Sequence, residues 1–281
     1  MDQNIINLFD RFTHGGMNRR DFLEKLTLMA ASTAAATALL PLLENNYAKA
    51  DVVPENDPSL ATSMIDYSGG KGYLAKPKAE GKYPGVLVIH ENRGLNPHIR
   101  DVTRRLAVAG FAALAADYLA PQGGSPADED KARDMIATLK PTDILSTSKA
   151  GLAAIIANPA SIGKAGTIGF CWGGGAVNDL AVNDSTLSAG VAYYGLQPPA
   201  AEVPKIKAPL LLHYAGLDDR VDAGIPAFEA ALKAAGKTYE IHMYEGVNHA
   251  FNNDTNVARY DKAAADLAWG RSIAFLKKYV G

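Results

Sequence analysis

The sequence predicts an α/β protein, with a mostly parallel sheet that is covered by helices on both faces. Three observations carry this prediction. Short apolar runs alternate with helical stretches, the runs are continuously apolar, and glycine or proline marks many of their boundaries. The 281 residues are 48% hydrophobic and 21% charged, which suits one sizeable core and argues against a disordered or fibrous chain. No break in composition divides residues 61–281, so we expect one domain there.

Each element of the first half follows from a local pattern. Gly69-Gly70 predicts the turn of a hairpin, and Val102, Leu106 and Ala109 share one face of a helix that Gly110 ends. In chain order we expect hairpin strands 64–67 and 72–76, a buried strand 85–90, a helix 99–109, a strand 111–116, a Gly/Pro loop 121–126 and helices 127–139 and 142–158.

The second half repeats the alternation of strand and helix. We expect strands 165–170, 189–193, 209–213 and 239–244, with a helix starting at Gly173, a helix over 223–235 and a long amphipathic helix over 257–279. Because parallel strands end at the same edge of a sheet, residues that follow these strands should meet there.

The charge balance excludes one class of partner. The chain has 28 Lys and Arg against 30 Asp and Glu, a formal charge of −2, so it lacks the basic excess that a phosphate backbone requires. We therefore expect no nucleic-acid binding.

Residues 1–50 predict a bacterial export signal. The arginine pair in Asn18-Arg19-Arg20-Asp21-Phe22-Leu23 precedes a modestly apolar stretch, 26–43, and the small-x-small sequence that ends at Ala50. The stretch is interrupted and rich in alanine, so it does not favour a membrane span. It resembles a twin-arginine signal, which implies export by the twin-arginine translocation machinery to the periplasm. The tail before Asn18 is longer than expected, which leaves Met17 as an alternative start.

Cleavage after Ala50 would leave a linker, 51–60, and the α/β domain, 61–281, with no stable membrane span in the mature form. A surface helix with an accidental arginine pair is the competing interpretation of residues 1–50.

The single cysteine, Cys171, lies in a pattern typical of a catalytic nucleophile. Gly169-Phe170-Cys171-Trp172-Gly173 follows an apolar strand and opens a Gly-rich helix, as in a nucleophile elbow. The sharp turn requires small flanking residues, and the helix N-terminus favours a thiolate. The alternative is a small buried cysteine beside glycines needed for packing. A redox thiol is weaker, because the chain holds no resolving cysteine.

A base and an acid follow the cysteine in the order that this fold uses. Asp218 comes just past the strand 209–213, and His249 just past the strand 239–244. Asp219 is the adjacent rival and could be a turn or cap residue. The other histidines are expected in other roles: His14 in the signal, His98 on the surface near a helix, and His90, His213 and His242 as structural residues of strands.

Glu91 follows the first core strand, in His90-Glu91-Asn92-Arg93-Gly94. A carboxylate beside a thiol raises the pKa of the thiol, so its presence predicts a nucleophile that is gated rather than permanently ionised. The alternative is a surface pair of Glu91 with Arg93 or Arg100.

Taken together, these motifs resemble the dienelactone hydrolase family of α/β-hydrolases, over roughly residues 67–279. The resemblance rests on the cysteine elbow, the loop His90 to Asn96, the Gly-Leu-Asp218 turn and the ending from Tyr244 to Phe251. It implies that Cys171 attacks an ester or lactone carbonyl and that His249 transfers the proton. It also implies that Asp218 orients His249 and that Glu91 controls ionisation of the thiol. The backbone N–H groups of Asn92 and Trp172 would form the oxyanion hole.

The departures from the family pattern fall in the substrate pocket. Asn253 stands where the family places an arginine that holds the substrate carboxylate, and Asp254 beside it would repel an anion. Arg133 is a candidate for the family's other arginine, and we expect Arg133 and Asn253 to contact the substrate. Dienelactone itself is therefore doubtful as substrate, and a different lactone or a small carboxylic ester is favoured.

We expect a hydrolase that uses no metal and no cofactor and works through an acyl-cysteine. The alternative is a non-catalytic exported α/β protein that binds a small molecule or another protein.

Overall fold

A single eight-stranded sheet forms the centre of the protein. The computed structural model describes the backbone of residues 1–281 and the side chains of all but residue 49. The strands are β1 (Leu60–Tyr67), β2 (Gly70–Pro77), β3 (Tyr83–Ile89), β4 (Ala112–Ala116), β5 (Ser161–Phe170), β6 (Gly190–Tyr193), β7 (Leu210–Ala215) and β8 (Tyr239–Tyr244). Their order across the sheet is β1-β2-β4-β3-β5-β6-β7-β8.

The pairing of the strands confirms the predicted fold class. The hairpin β1–β2 and the pair β2–β4 are antiparallel, and every other neighbouring pair is parallel. The carboxyl ends of β3 and of β5 to β8 therefore lie at one edge of the sheet, where the loops of the candidate site begin.

The helices cover both faces of the sheet. They are α1 (Gln3–Thr13), α2 (Arg19–Met29), α3 (Thr33–Leu43), α4 (Pro97–Val108), α5 (Glu129–Ala137), α6 (Pro141–Ala157), α7 (Trp172–Asn183), α8 (Asp219–Asp222), α9 (Ile225–Ala234) and α10 (Lys262–Tyr279). Apolar residues of α4 and α10 join one core cluster, and those of α6, α7 and α9 join a second cluster with the opposite sides of the strands. Burial of both faces explains why the strands have continuously apolar sequences.

Two helix boundaries differ from the sequence-based prediction. The last helix begins at Lys262 rather than 257, because the Asp261 side chain accepts a hydrogen bond from the backbone N–H of Ala264 and caps the helix there. The helix predicted over 223–235 is α9, which begins at Ile225 because Gly224 separates it from the single turn α8.

Residues 3–43 form a unit of their own, which we call the N-terminal cap. Its helices α1, α2 and α3 enclose a small apolar core that includes Phe9, Phe12, Phe22 and Leu26. No single helix among the described residues is long and apolar enough to cross a membrane. The pair α2 and α3 passes that test together, but with a bend of 116°.

The segment predicted as a linker is tied to the body at its start. The backbone N–H of Val53 donates to the Asp101 carboxylate at 2.8 Å, and Arg104 donates to the Asp51 carboxylate at 2.9 Å. Ala50 is buried. The chain therefore passes from the cap to β1 along α4.

Candidate active site

Cys171 lies in the sharp turn between β5 and α7, with backbone angles φ 56° and ψ −117°. Positive φ is unfavourable for a residue with a side chain, so the surrounding structure must impose it. A Cβ on Gly169 would lie 2.3 Å from the carbonyl oxygen of Gly173, and one on Gly173 would lie 2.4 Å from that of His90. The turn therefore has the strained geometry predicted for a nucleophile elbow, and both flanking glycines are required.

His249 and Asp218 meet beside the elbow, each in the loop after its strand. Nδ1 of His249 lies 2.5 Å from Oδ2 of Asp218, and both side chains are buried. The other carboxylate oxygen of Asp218 accepts from the backbone N–H of Val221, which fixes the carboxylate at the start of α8. Nε2 of His249 has no hydrogen-bond partner among the described residues and is free to exchange a proton. Asp218, rather than Asp219, is the acid that contacts the imidazole.

The sulfur of Cys171 and one ring nitrogen each of His249 and His14 lie within 4.8 Å of one another. Burial opposes ionisation of the thiol, but attraction to the imidazoles of His249 and His14 lowers the pKa of Cys171 to about 5. For His249, burial again opposes the charge, yet the Cys171 thiolate and the Asp218 carboxylate raise the pKa to about 10. The geometry thus favours a thiolate paired with an imidazolium.

His14 is the residue that sequence reasoning missed. We expected it in an export signal, whereas the structure places its Nε2 3.2 Å from Sγ of Cys171. Its ring meets that of His249 edge to face, with centroids 4.7 Å apart. A signal was present in the sequence: Ile5, Phe9 and Phe12 repeat at helical spacing before it, which is typical of an amphipathic helix in a folded protein.

Asp10, one helical turn before His14 in the sequence, contacts the His14 ring. Nδ1 of His14 lies 2.8 Å from the backbone carbonyl oxygen of Asp10 and 3.2 Å from its carboxylate. Burial would raise the pKa of Asp10, but attraction to His249, His14 and Arg259 lowers it. The carboxylate is therefore charged, and it lies in a cluster of positive partners.

Glu91 is buried just past β3 but makes no hydrogen bond to Cys171. One of its carboxylate oxygens accepts from the side-chain amide of Asn253 at 3.0 Å, and the other has no partner among the described residues. The thiol pKa is lowered, not raised, in this arrangement. The expected surface pair is not formed either, since Arg93 pairs with Glu129. The gating role of Glu91 stays a prediction.

The expectation for Asn253 and its neighbours needs correction. Asn253 is only 1% exposed and contacts Glu91, so it lies behind the site rather than in the wall of the cavity. Asp254 is paired with Arg105 at 2.5 Å and with His98 at 3.3 Å, so its charge is compensated and does not face a substrate. His98, expected on the surface, is buried by this pairing.

The backbone N–H groups of Asn92 and Trp172 make no hydrogen bond within the described part of the chain. Asn92 follows β3 and Trp172 is the first residue of α7, so both amides belong to the turns that border the nucleophile. Free amides at this place are what an oxyanion hole requires. The side chain of Asn92 donates to the backbone carbonyl of Thr13 at 2.7 Å.

A cavity of about 610 Å³ lies over Cys171. Its wall combines the cap with the ends of α5, α7 and the loops after β6 and β7: Thr13, His14, Gly15, Asn92, Arg133, Asp134, Ile136, Ala137, Ile144, Cys171, Trp172, Gly175, Ala176, Asp179, Tyr194, Leu196, Gln197 and Arg220. Arg133 is in this wall, where we predicted a substrate-binding role. It stacks on the Phe12 ring at 4.3 Å and pairs with Asp130 at 2.8 Å.

Two of the histidines expected to be structural are buried in contacts away from the sulfur. His90 stacks on Trp172, and its Nδ1 lies 2.6 Å from the backbone carbonyl oxygen of Glu91. His213 lies between the hydroxyl groups of Ser272 and Tyr244. Burial lowers the pKa of both, so they are neutral packing residues.

One thiolate and two imidazoles are ligands that zinc and similar ions accept. The cluster of His14, Cys171 and His249 could therefore hold such an ion. The same three groups are also a complete set for nucleophilic and acid–base catalysis without a metal.

Comparison with known proteins agrees with the geometry. A sequence model described as "Dienelactone hydrolase family" matches residues 71–280, and a second, described as "YqhI-like", matches residues 1–31. A protein of Methylorubrum extorquens named as a carboxymethylenebutenolidase is 32% identical over 222 residues, which cover 74% of this chain and 76% of that protein. A hydrolase fragment of Escherichia coli K12, YghX, is 47% identical over 115 residues, which cover 38% of this chain and 98% of the fragment.

A solved structure from Klebsiella pneumoniae, described as a dienelactone hydrolase, is 28% identical with a TM-score of 0.71. The match covers 78% of this chain and 99% of that one. The family match begins at residue 71, inside β2, so it covers β3 to β8 and their helices, and the cap lies before it.

Proposed function

Because the chain belongs to the dienelactone hydrolase family, we propose that it hydrolyses a lactone or a small carboxylic ester, with Cys171 as the nucleophile. One observation supports this more than any other. A cysteine on a strained elbow has its sulfur within 4.8 Å of an imidazole whose other nitrogen is held by a buried carboxylate. This is the arrangement of nucleophile, base and orienting acid that acyl transfer requires.

The proposed reaction has two halves. The Cys171 thiolate adds to the carbonyl carbon, the C–O bond to the leaving group breaks as an imidazolium of the site gives the leaving oxygen a proton, and an acyl-cysteine forms. Water then adds to the thioester as His249 removes its proton, and the C–S bond breaks to release the acid. Asp218 keeps His249 in the tautomer that presents Nε2. The amides of Asn92 and Trp172 stabilise the oxyanion in both halves, and loss of one such donor costs about 10²–10³ in rate.

Glu91 is proposed to control the thiol. Its unpartnered carboxylate oxygen is buried near the elbow, and Asn253 holds the other oxygen. Rotation of Cys171 toward Glu91 would place the sulfur beside a negative charge and raise the pKa of the thiol, so that the sulfur would keep its proton. The nucleophile would then be protected until substrate arrives.

The cavity indicates the class of substrate. A volume of about 610 Å³ is suited to a small molecule. The wall includes both Arg133 and Arg220, but also Asp134 and Asp179, so it is not dedicated to an anion. A neutral lactone or ester fits this mixture better than dienelactone.

The test is to replace the sulfur and to measure hydrolysis of a panel of lactones and esters in the presence of a chelator. Cys171→Ala should abolish turnover with the fold intact, because no nucleophile remains. Cys171→Ser should be much slower than the wild type, since a hydroxyl needs stronger base assistance. Mass spectrometry of a quenched reaction should show an acyl adduct on the cysteine. Full activity of Cys171→Ala would refute the proposal, and an inactive wild type would favour the non-catalytic binding protein.

Export of the protein is a second proposal, supported by the arginine pair, the apolar stretch 26–43 and the small residues before Ala50. The twin-arginine machinery would be the transient partner, and the periplasm the destination. Terminal sequencing of protein from a periplasmic fraction tests it: a first residue of Asp51 supports cleavage, and retention of Arg19→Lys, Arg20→Lys protein in the cytoplasm supports the route. Cleavage after Ala50 would also remove residues 3–43, and with them His14, so a full-length N-terminus would overturn cleavage and leave the contact of His14 with Cys171 in place.

A further inference from the structure

We propose that the N-terminal cap is part of the active site, and that its His14 is a second catalytic imidazole, which protonates the leaving alcohol. The inference rests on the proposed role of Cys171 as nucleophile. It extends the site beyond residues 71–280, the range of the family match.

The first support is the orientation of the His14 ring. Nδ1 faces the backbone carbonyl of Asp10 at 2.8 Å, an acceptor that requires Nδ1 to carry a proton. The nitrogen that faces Sγ, at 3.2 Å, is therefore Nε2. The Asp10 carboxylate, 3.2 Å from Nδ1, stabilises the protonated ring. Asp10 and His14 thus repeat on one side of the sulfur the pairing that Asp218 and His249 make on the other.

The Asp10 carboxylate also faces two arginines. Arg259 and Arg220 lie 3.6 and 3.9 Å from it. Burial lowers the pKa of His14, but the Cys171 thiolate and Asp10 outweigh burial, and the net direction is upward. Both imidazoles can therefore be cationic beside one thiolate, each with an aspartate close to its Nδ1.

The second support is the attachment of the cap to the body. Asn256 donates to the backbone carbonyl of Leu43 at 2.6 Å, and the backbone N–H of Asn46 donates to that of Thr255 at 2.8 Å. Arg259 lies over the Phe9 ring at 5.1 Å. With the bond from Asn92 to Thr13, these contacts hold both ends of the cap against the loops of the site.

The third support is that the cap borders the cavity without filling it. Thr13, His14 and Gly15 form part of its wall, and about 610 Å³ remains beside Cys171. An inhibitory plug would occupy the substrate space. Here the cap closes one side of that space and presents one imidazole to it.

The chemistry divides the two proton transfers between the two imidazoles. The thiolate adds to the ester carbonyl, and as the C–O bond breaks, the leaving alkoxide takes the proton from Nε2 of His14. Once the thiolate is consumed, His249 loses a charge that stabilised its proton and releases that proton to solvent. The neutral ring then removes a proton from water, hydroxide adds to the thioester, and the C–S bond breaks to return the thiolate beside a charged His249. The acid product releases one proton, which recharges His14.

The experiment compares two esters of the same acid, one with an alkyl alcohol and one with a 4-nitrophenol leaving group. An alkoxide needs protonation to leave, whereas 4-nitrophenolate does not. His14→Gln should therefore lower kcat for the alkyl ester by about 10²-fold and for the nitrophenyl ester by less than about 10-fold, as expected for loss of a general acid. Arg11→Gln, an exposed change on the same helix, should leave both rates unchanged.

A second measurement needs no turnover. In the wild type, the rate of alkylation of Cys171 by iodoacetamide should stay level at neutral pH and fall as pH drops through about 5, where the thiolate is protonated. In His14→Gln the fall should begin at higher pH, because one of the two stabilising charges is gone.

The outcomes are distinct. Equal losses for both esters with an unchanged alkylation profile would mean that His14 is only structural, and faster turnover of both would mean that the cap is inhibitory. Either result would overturn the inference while Cys171 remains the nucleophile. If Cys171→Ala keeps full activity, the proposed function fails instead.

Discussion

His249 and His14 approach the same sulfur from two regions that are built in very different ways. His249 is in a loop directly after β8, and its partner Asp218 follows β7, so the sheet positions both. His14 follows the eleven-residue helix α1, which is held by the small apolar core of the cap. A sheet edge gathers residues from distant parts of the chain with little freedom. The position of His14 depends instead on the packing of a small separate core and on its contacts with the body. Two imidazoles at one sulfur can therefore depend on two independent sets of packing contacts.

The largest effect is expected at the elbow, where the surrounding backbone leaves no room for a side chain on Gly169. Gly169→Ala would place a Cβ 2.3 Å from the backbone carbonyl oxygen of Gly173, so the turn could not form, and we expect loss of soluble folded protein or of all activity. The matched control is Gly270→Ala, which has no heavy atom within 4 Å of the new Cβ and lies in α10. It should stabilise the fold by up to about 1 kcal/mol. Thermal unfolding and activity of both variants check this, and a normal Gly169→Ala enzyme would contradict it.

The next prediction compares the two aspartates that lie beside the imidazoles, Asp218 and Asp10. Asp218→Asn removes the acceptor that holds His249 in its working tautomer, and the same change in a serine protease lowers kcat about 10⁴-fold. Asp10→Asn keeps His14 and its backbone acceptor at 2.8 Å, so we expect a smaller loss, about 10-fold, which is also less than the loss expected for His14→Gln. Steady-state rates on the alkyl ester measure both. Equal losses would mean that the cap and the body are equally necessary to the reaction.

The smallest effect concerns the cap alone. Phe9 is 2% exposed in the core of the cap, and Phe9→Ala should cost about 3–5 kcal/mol there. We expect faster hydrogen exchange in α1 to α3, unchanged exchange in the sheet, and faster alkylation of Cys171, which the cap covers. Leu28→Ala, at a position 80% exposed, is the control and should change none of these. Equal loss of protection in the sheet would show that cap and body unfold as one unit.

The body of the protein was largely predictable from its sequence, for local reasons. Alternating apolar and helical runs predicted the strands, and the glycines around Cys171 predicted the elbow. Both features depend on contacts within the element or with its neighbours in sequence. The errors occurred where one particular side-chain contact decides. The cap by Asp261 makes the last helix begin at Lys262, five residues after the predicted start, and His98 is buried in its pair with Asp254. Asn253, expected to bind substrate, is held by Glu91.

The sequence by itself determined the fold class, the family and which loops bring Cys171, His249 and Asp218 together, because the order of motifs along a parallel α/β chain dictates which loops share a sheet edge. Only the tertiary structure decided that residues 3–43 fold against that edge and bring His14 to the sulfur. An arginine pair followed by alanine and leucine has the composition of an export signal and of a small helical cap alike. The helical spacing of Phe9 and Phe12 predicts an apolar helix face, but only tertiary packing decides what that face is buried against.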